Sequence, residues 1–185
     1  MTNAATLQDR LAATGLSGPV ELRLLPEPAR MALRADPAHG NALSGALRLD
    51  LPTKIGGRAN NDGLEVLCLG PDEWVVHTDA EGMAAVQAAF AKIYGEVPHS
   101  LVDISDRDIA IELRGVEAET LLSTGCPIDL SRIRPGHGKR TLFDSVQVVL
   151  LRDGEDLFRM EVWRSFLPHV WGLLNTANRE LEAGL

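Results

Sequence analysis

Leu64-Glu65-Val66-Leu67-Cys68-Leu69-Gly70-Pro71-Asp72-Glu73-Trp74-Val75-Val76-His77-Thr78 joins two strand-like runs through a turn with definite chemistry. The first run is apolar and partly alternating, and the second is rich in aromatic and β-branched residues, so both read as strands. Pro71 suits the second position of a type I turn, where its fixed φ is already correct, and Asp72 can bond its own backbone. Asp72 and Glu73 read as solvated turn residues and Trp74 as a core anchor. Downstream, Met83, Val86, Phe90 and Ile93 are spaced three and four apart, which predicts a helix over residues 80–94 with one face on a sheet.

The same order of strand pair and helix recurs twice. Residues 100–104 and 108–113 read as two strands, the second alternating between apolar and charged positions as a sheet with one wet face would. A short helix over 116–123 follows. Residues 142–152 and 157–163 flank Asp153-Gly154-Glu155-Asp156, a hairpin signal. A helix over 165–181 comes next, with Ser165 as N-cap and Phe166, Val170, Leu173, Leu174, Ala177 and Leu181 as its apolar stripe. Upstream, residues 6–13 read as a short helix and Val20–Leu25 as a strand. Prolines at 26, 28, 37 and 52 and glycines at 40, 45, 56, 57 and 63 predict an irregular arm with short strands, either functional or ordered by something else, including a partner chain, and the leading candidate for part of a partner-facing surface. Strand pairs with helices on one side predict an α+β fold on a mostly antiparallel sheet and disfavour a doubly wound parallel one. The chain is expected to be one domain over 1–185, with an irregular part over 1–62 and a hairpin–helix core over 63–185.

Composition excludes several functions. A net charge of -8 without a clustered Lys/Arg run argues against nucleic acid. No stretch approaches the roughly 20 apolar residues of a membrane span, and the N-terminus lacks a basic and apolar leader, so a cytoplasmic, soluble protein is expected. Cys68 and Cys126 have neither disulfide-framework nor zinc spacing and read as free thiols.

Candidate chemistry is sparse. Gly136-His137-Gly138-Lys139-Arg140-Thr141 lacks the first glycine of a phosphate-binding loop, since Ile133 stands there; a solvated loop, or an anion site of backbone N–H groups with Lys139 and Arg140, remains. His39, His77, His99, His137 and His169 have no metal-ligand spacing. Asp103 and Ser105 lack a nucleophile elbow and read as turn residues bonding backbone. Asp153, Glu155 and Asp156 do not continue into a calcium loop. No catalytic, cofactor-binding or metal residue is assigned.

Leu69–Trp74, Val102-Asp103-Ile104-Ser105-Asp106-Arg107, Gly125-Cys126-Pro127-Ile128-Asp129-Leu130, Arg140-Thr141 and Val162-Trp163-Arg164-Ser165-Phe166 resemble, in this order, the gamma subunit family of heterotetrameric sarcosine oxidase. That family is related in fold to the first domain of the glycine-cleavage T-protein. The resemblance implies a non-catalytic subunit of a bacterial complex that oxidatively demethylates sarcosine to glycine. The complex passes the one-carbon unit to tetrahydrofolate and forms hydrogen peroxide. It further implies alpha, beta and delta subunits as partners, chiefly alpha, with FAD, FMN, NAD and zinc held by those subunits and none by this chain. The alternative is a stand-alone folate-binding one-carbon module of the T-protein type.

Overall fold

The computed structural model describes residues 18–26, 28–61 and 63–185. The helix expected over 6–13 lies outside them. Where one domain was expected, the chain forms two compact units, and among the described residues each is an antiparallel five-stranded sheet with two α-helices and its own apolar core.

One unit takes residues 28–61, 63–106 and 137–139. Its strands are β2 (Ala29–Ala35), β3 (Arg58–Asn61), β4 (Leu64–Gly70), β5 (Glu73–Thr78) and β6 (His99–Asp103), in the order β3-β4-β5-β2-β6, with helices α1 (Gly40–Leu47) and α2 (Ala80–Ile93). The β4–β5 hairpin turns at Pro71-Asp72 as its sequence requires. Trp74 is 1% exposed and its indole N–H donates to the Pro52 carbonyl at 2.7 Å, so its polar end is satisfied inside the core. Asp72 is half exposed, but Glu73 is largely covered and pairs with Arg34, its neighbour across the ladder, at 3.0 Å. Asp79 caps α2 by accepting from the Gly82 N–H at 2.7 Å, and Val86 and Phe90 fill the core below.

The proline- and glycine-rich arm is not irregular: it forms regular elements that pack into its own unit. It supplies β2, the strand between β5 and β6, together with a 3-10 turn at residues 37–39 and α1. Met31, Leu33, Leu43, Leu47 and Leu51 from this segment are buried in the unit's own core. Gly40, Gly45 and Pro37 masked a helix whose apolar positions, Ala42, Leu43, Ala46 and Leu47, follow the 3.6-residue period.

The other unit takes residues 18–26, 107–136 and 140–185. Its sheet runs β1 (Glu21–Leu24), β7 (Asp108–Arg114), β10 (Leu157–Trp163), β9 (Val146–Gly154) and β8 (His137–Phe143), with helices α3 (Ala118–Ser123) and α4 (Leu167–Glu182). Four expectations are corrected by these strands and helices. Residues 99–103 and 108–114 are not a hairpin, because β6 pairs with β2 and β7 pairs with β1 and β10. The single strand expected from 142 is two strands, parted at Asp144-Ser145, where Asp144 takes a left-handed φ of 54°. Ser165 does not cap the last helix: a 3-10 turn over Arg164–Phe166 precedes α4 and shifts its phase, burying Leu167 and Trp171 and leaving Phe166 outside. The face of β7 expected to be wet is largely covered, with Asp108 5% exposed and Glu112 paired to Arg23 at 3.0 Å.

Candidate functional site

Three features stand out among the described residues. The first is a row of ionisable side chains on the helix-free face of the β3-β4-β5-β2-β6 sheet. Cross-strand register places Arg30 opposite His77, His77 opposite Glu65, and Glu65 opposite Asn60. Arg30 is fully buried and His77 is 4% exposed. Glu65 lies 3.1 Å from His77 Nδ1 through one oxygen and pairs with Arg58 through the other. The even spacing that sends Met31, Leu33, Val66 and Val76 into the core sends these four residues to the opposite face. A carboxylate held between an imidazole and a guanidinium is a buried cross-strand charge ladder, which fixes register at the expense of desolvation.

The second is a groove of about 420 Å³ between α1, α2 and the β3–β4 end. Small residues of α2, Gly82, Ala85 and Ala89, make its wall, and Arg48 and Lys92 stand at its rim. Arg48 ends α1 in a left-handed conformation, and Asn61 donates to its carbonyl at 2.7 Å.

The third is an aromatic–arginine platform at the end of β10. Trp163 and Phe166 are 44% and 43% exposed, with ring centroids 6.3 Å apart. The Arg107 guanidinium lies 5.8 Å from the Trp163 ring centre and forks onto buried Asp108 at 3.2 and 3.0 Å. The Arg164 N–H donates to the Arg107 carbonyl at 2.8 Å, tying the two segments together.

The residues weighed from sequence fall elsewhere and do not converge. Residues 137–141 belong to β8, and the Gly138 N–H donates to the Gly56 carbonyl, so where a solvated loop, or alternatively an anion site, was read there is a strand paired by its backbone. Asp103 accepts from the Ser105 N–H at 2.9 Å and its hydroxyl at 2.6 Å, while Ser105 Oγ accepts from the Arg30 N–H at 3.0 Å. Those bonds close the turn after β6 and hold the Asp103 carboxyl below its usual pKa. His39 sits in a 3-10 turn, His77 in the charged row, His99 edge-on to Phe90, His137 at the start of β8 and His169 3.1 Å from Asp144. Among the described residues no group of three or more His, Cys, Asp or Glu is placed to hold a metal. Asp153 pairs with Arg159 at 3.1 Å, and Glu155 is exposed beside Arg152. Burial pushes the Cys126 thiol up to about 11 and raises Cys68 as well, so both buried cysteines are protonated at neutral pH.

Sequence reasoning passed over the row and the platform. The alternation Arg30, Ala32, Arg34 within Ala29–Ala35 was the available signal for the row, hidden by the surrounding prolines. The platform had no local signal beyond Trp163 and Phe166 three apart, because Arg107 reaches it only through the fold.

Residues 32–180 match the model of the sarcosine oxidase, gamma subunit family. The chain is 31% identical over 171 residues to the sarcosine oxidase subunit gamma of Corynebacterium sp. (strain P-1), covering 90% of this chain and 83% of that protein. It superimposes on a chain of the heterotetrameric sarcosine oxidase of Corynebacterium sp. U-96 with a TM-score of 0.84 at 29% identity, covering 97% and 94% of the two chains. The glycine cleavage system aminomethyltransferase T of Bartonella henselae shares the fold, with a TM-score of 0.64 at 14% identity over 89% of this chain and 47% of that one. A family model that spans both compact units, joined to a curated gamma-subunit match over 90% of the chain and a superposition that runs nearly end to end, decides the family: the chain belongs to the sarcosine oxidase gamma subunit family.

Proposed function

We propose that the chain is the non-catalytic gamma subunit of a heterotetrameric sarcosine oxidase in a bacterial cytoplasm, serving to assemble and stabilise the complex, chiefly against the alpha subunit. In this reading the other subunits hold FAD, FMN, NAD and zinc and demethylate sarcosine oxidatively to glycine, with the one-carbon unit passed to tetrahydrofolate and hydrogen peroxide formed. The observation that carries it is the chain-for-chain match, at a TM-score of 0.84, to a component of a heterotetrameric oxidase.

The test is a tag pull-down from the native cells, with mass spectrometry and a visible absorption spectrum of the eluate. Large subunits arriving with a flavin spectrum and sarcosine-dependent peroxide formation are the expected result. A colourless, solitary chain would overturn the proposal. The stand-alone folate-binding reading rests on the T-protein likeness, which at 14% identity carries fold and not activity. Reduced folate titrated into the isolated chain is expected to leave its melting temperature unchanged.

A further inference from the structure

The 3-10 turn that displaces Phe166 from the last helix's apolar stripe sets it beside Trp163, at the point where β10 leaves its ladder with β7. Taking 150–250 Å² for a whole aromatic side chain, the exposed fractions leave about 170 Å² of ring surface in water. The backbone and the Arg107 side chain that frame it are hydrogen-bonded in place. Trp163 is the last residue of β10, in register with Asp108, Arg107 is forked onto the Asp108 carboxylate, and the Arg164 N–H bonds back to Arg107. The backbone frame and Arg107 are thus ordered before contact, which lowers the ordering cost of binding. Trp and Arg are also the residue types most enriched among the anchors that dominate interface energies.

We infer that Trp163, Phe166 and Arg107 form the anchor by which this chain docks on a partner subunit of its own oxidase, against an apolar segment that carries a carboxylate. The inference rests on the subunit reading above. The occupant's chemistry follows from charge. The chain carries -8 overall, yet this platform turns Arg107 outward at 47% side-chain exposure while the carboxylate beneath it, Asp108, is 8% exposed. An acidic group on the partner complements it. The arm over residues 26–63, the other segment considered for a partner, buries Met31, Leu33, Leu43, Leu47 and Leu51 in its own unit's core.

The experiment uses the complex purified from native cells through a tag on this chain, with Trp163→Ala, Phe166→Asp and, as a control, Tyr94→Ala, which alters an exposed aromatic of the other unit. Thermal melts establish that each chain is folded. Dissociation of the complex on dilution is followed by mass photometry, with mass spectrometry to identify the subunits. Removing an anchor residue is expected to raise the dissociation constant about 30-fold, with Tyr94→Ala within twofold of the unaltered chain. Folded Trp163→Ala and Phe166→Asp chains that both hold the partner within twofold would overturn the proposal while leaving the subunit reading intact. An unaltered chain that captures no oxidase subunit would remove both. A homodimer of the unaltered chain that Phe166→Asp abolishes, with partner binding unaffected, would assign the platform to a second copy and overturn the inference.

Discussion

Val20 is fully buried just before β1, and both of its backbone polar groups are satisfied by one side chain 158 residues away: Asn178 Oδ1 accepts from its N–H at 3.0 Å and Nδ2 donates to its carbonyl at 2.8 Å. Asn178→Ala orphans both groups at once and is expected to destabilise the chain by about 2–4 kcal/mol, read as a lower urea midpoint. Asn178→Asp keeps the acceptor, loses the donor and buries a charge, so it should be at least as damaging. Three surface carboxylates set the acid limb. Ser105 holds Asp103 below the usual value, Ser131 does the same for Asp129, and His169 does so for Asp144. Each binds its proton more weakly folded than unfolded. Its contribution is therefore whole above the unfolded value near 3.8 and lost as pH falls through the lower folded one. Melting temperature should decline below about pH 4, and less steeply in the Asp103→Asn, Asp129→Asn, Asp144→Asn triple variant; an unchanged slope would remove these groups from the account.

At the scale of elements, Gly56 of the arm and Gly138 of β8 have a common reason. Gly56 has φ +87°, and a Cβ there would lie 2.7 Å from the Gly138 carbonyl, while the Gly138 N–H donates to the Gly56 carbonyl at 3.0 Å. The two backbones approach too closely for a side chain, which is why glycines that suggested a ligand loop serve strand docking instead. Gly56→Ala is expected to cost about 1–3 kcal/mol through strain and the lost approach, measurable by thermal melt. Gly40→Ala, at a helical position open to space, should be neutral or slightly stabilising. The β4–β5 hairpin, α2 and the β9–β10 hairpin were legible because periodicity, turn and cap all lie within about fifteen residues of one another. The arm was misread because its proline and glycine content describes local breakers, whereas the burial of Met31, Leu33 and Leu43 depends on strands far along the chain.

For the molecule as a whole, each unit carries its own buried cluster, so partner subunits are not needed to complete a core. Binding of partners to the folded chain should add stability by mass action, about 2.7 kcal/mol at a hundredfold excess over the dissociation constant. At 2–4 °C per kcal/mol for a chain of this size, the melting temperature should rise roughly 5–10 °C in the complex. A melt independent of partner concentration would count against docking to the native chain. Local patterning by itself determined the α+β class, the hairpin turns at Pro71-Asp72 and Gly154–Asp156, the helix after β5 and the core role of Trp74, because each is set by steric and hydrogen-bond preferences a few residues wide. Dispersed motifs carried the family resemblance. Only the tertiary structure decided that β2 pairs between β5 and β6, that β6 and β7 join different sheets, that the last helix turns Phe166 outward, and that Arg107 meets Trp163. Those outcomes depend on register and packing between residues dozens of positions apart, where the local period is the same whichever partner a strand or helix finds.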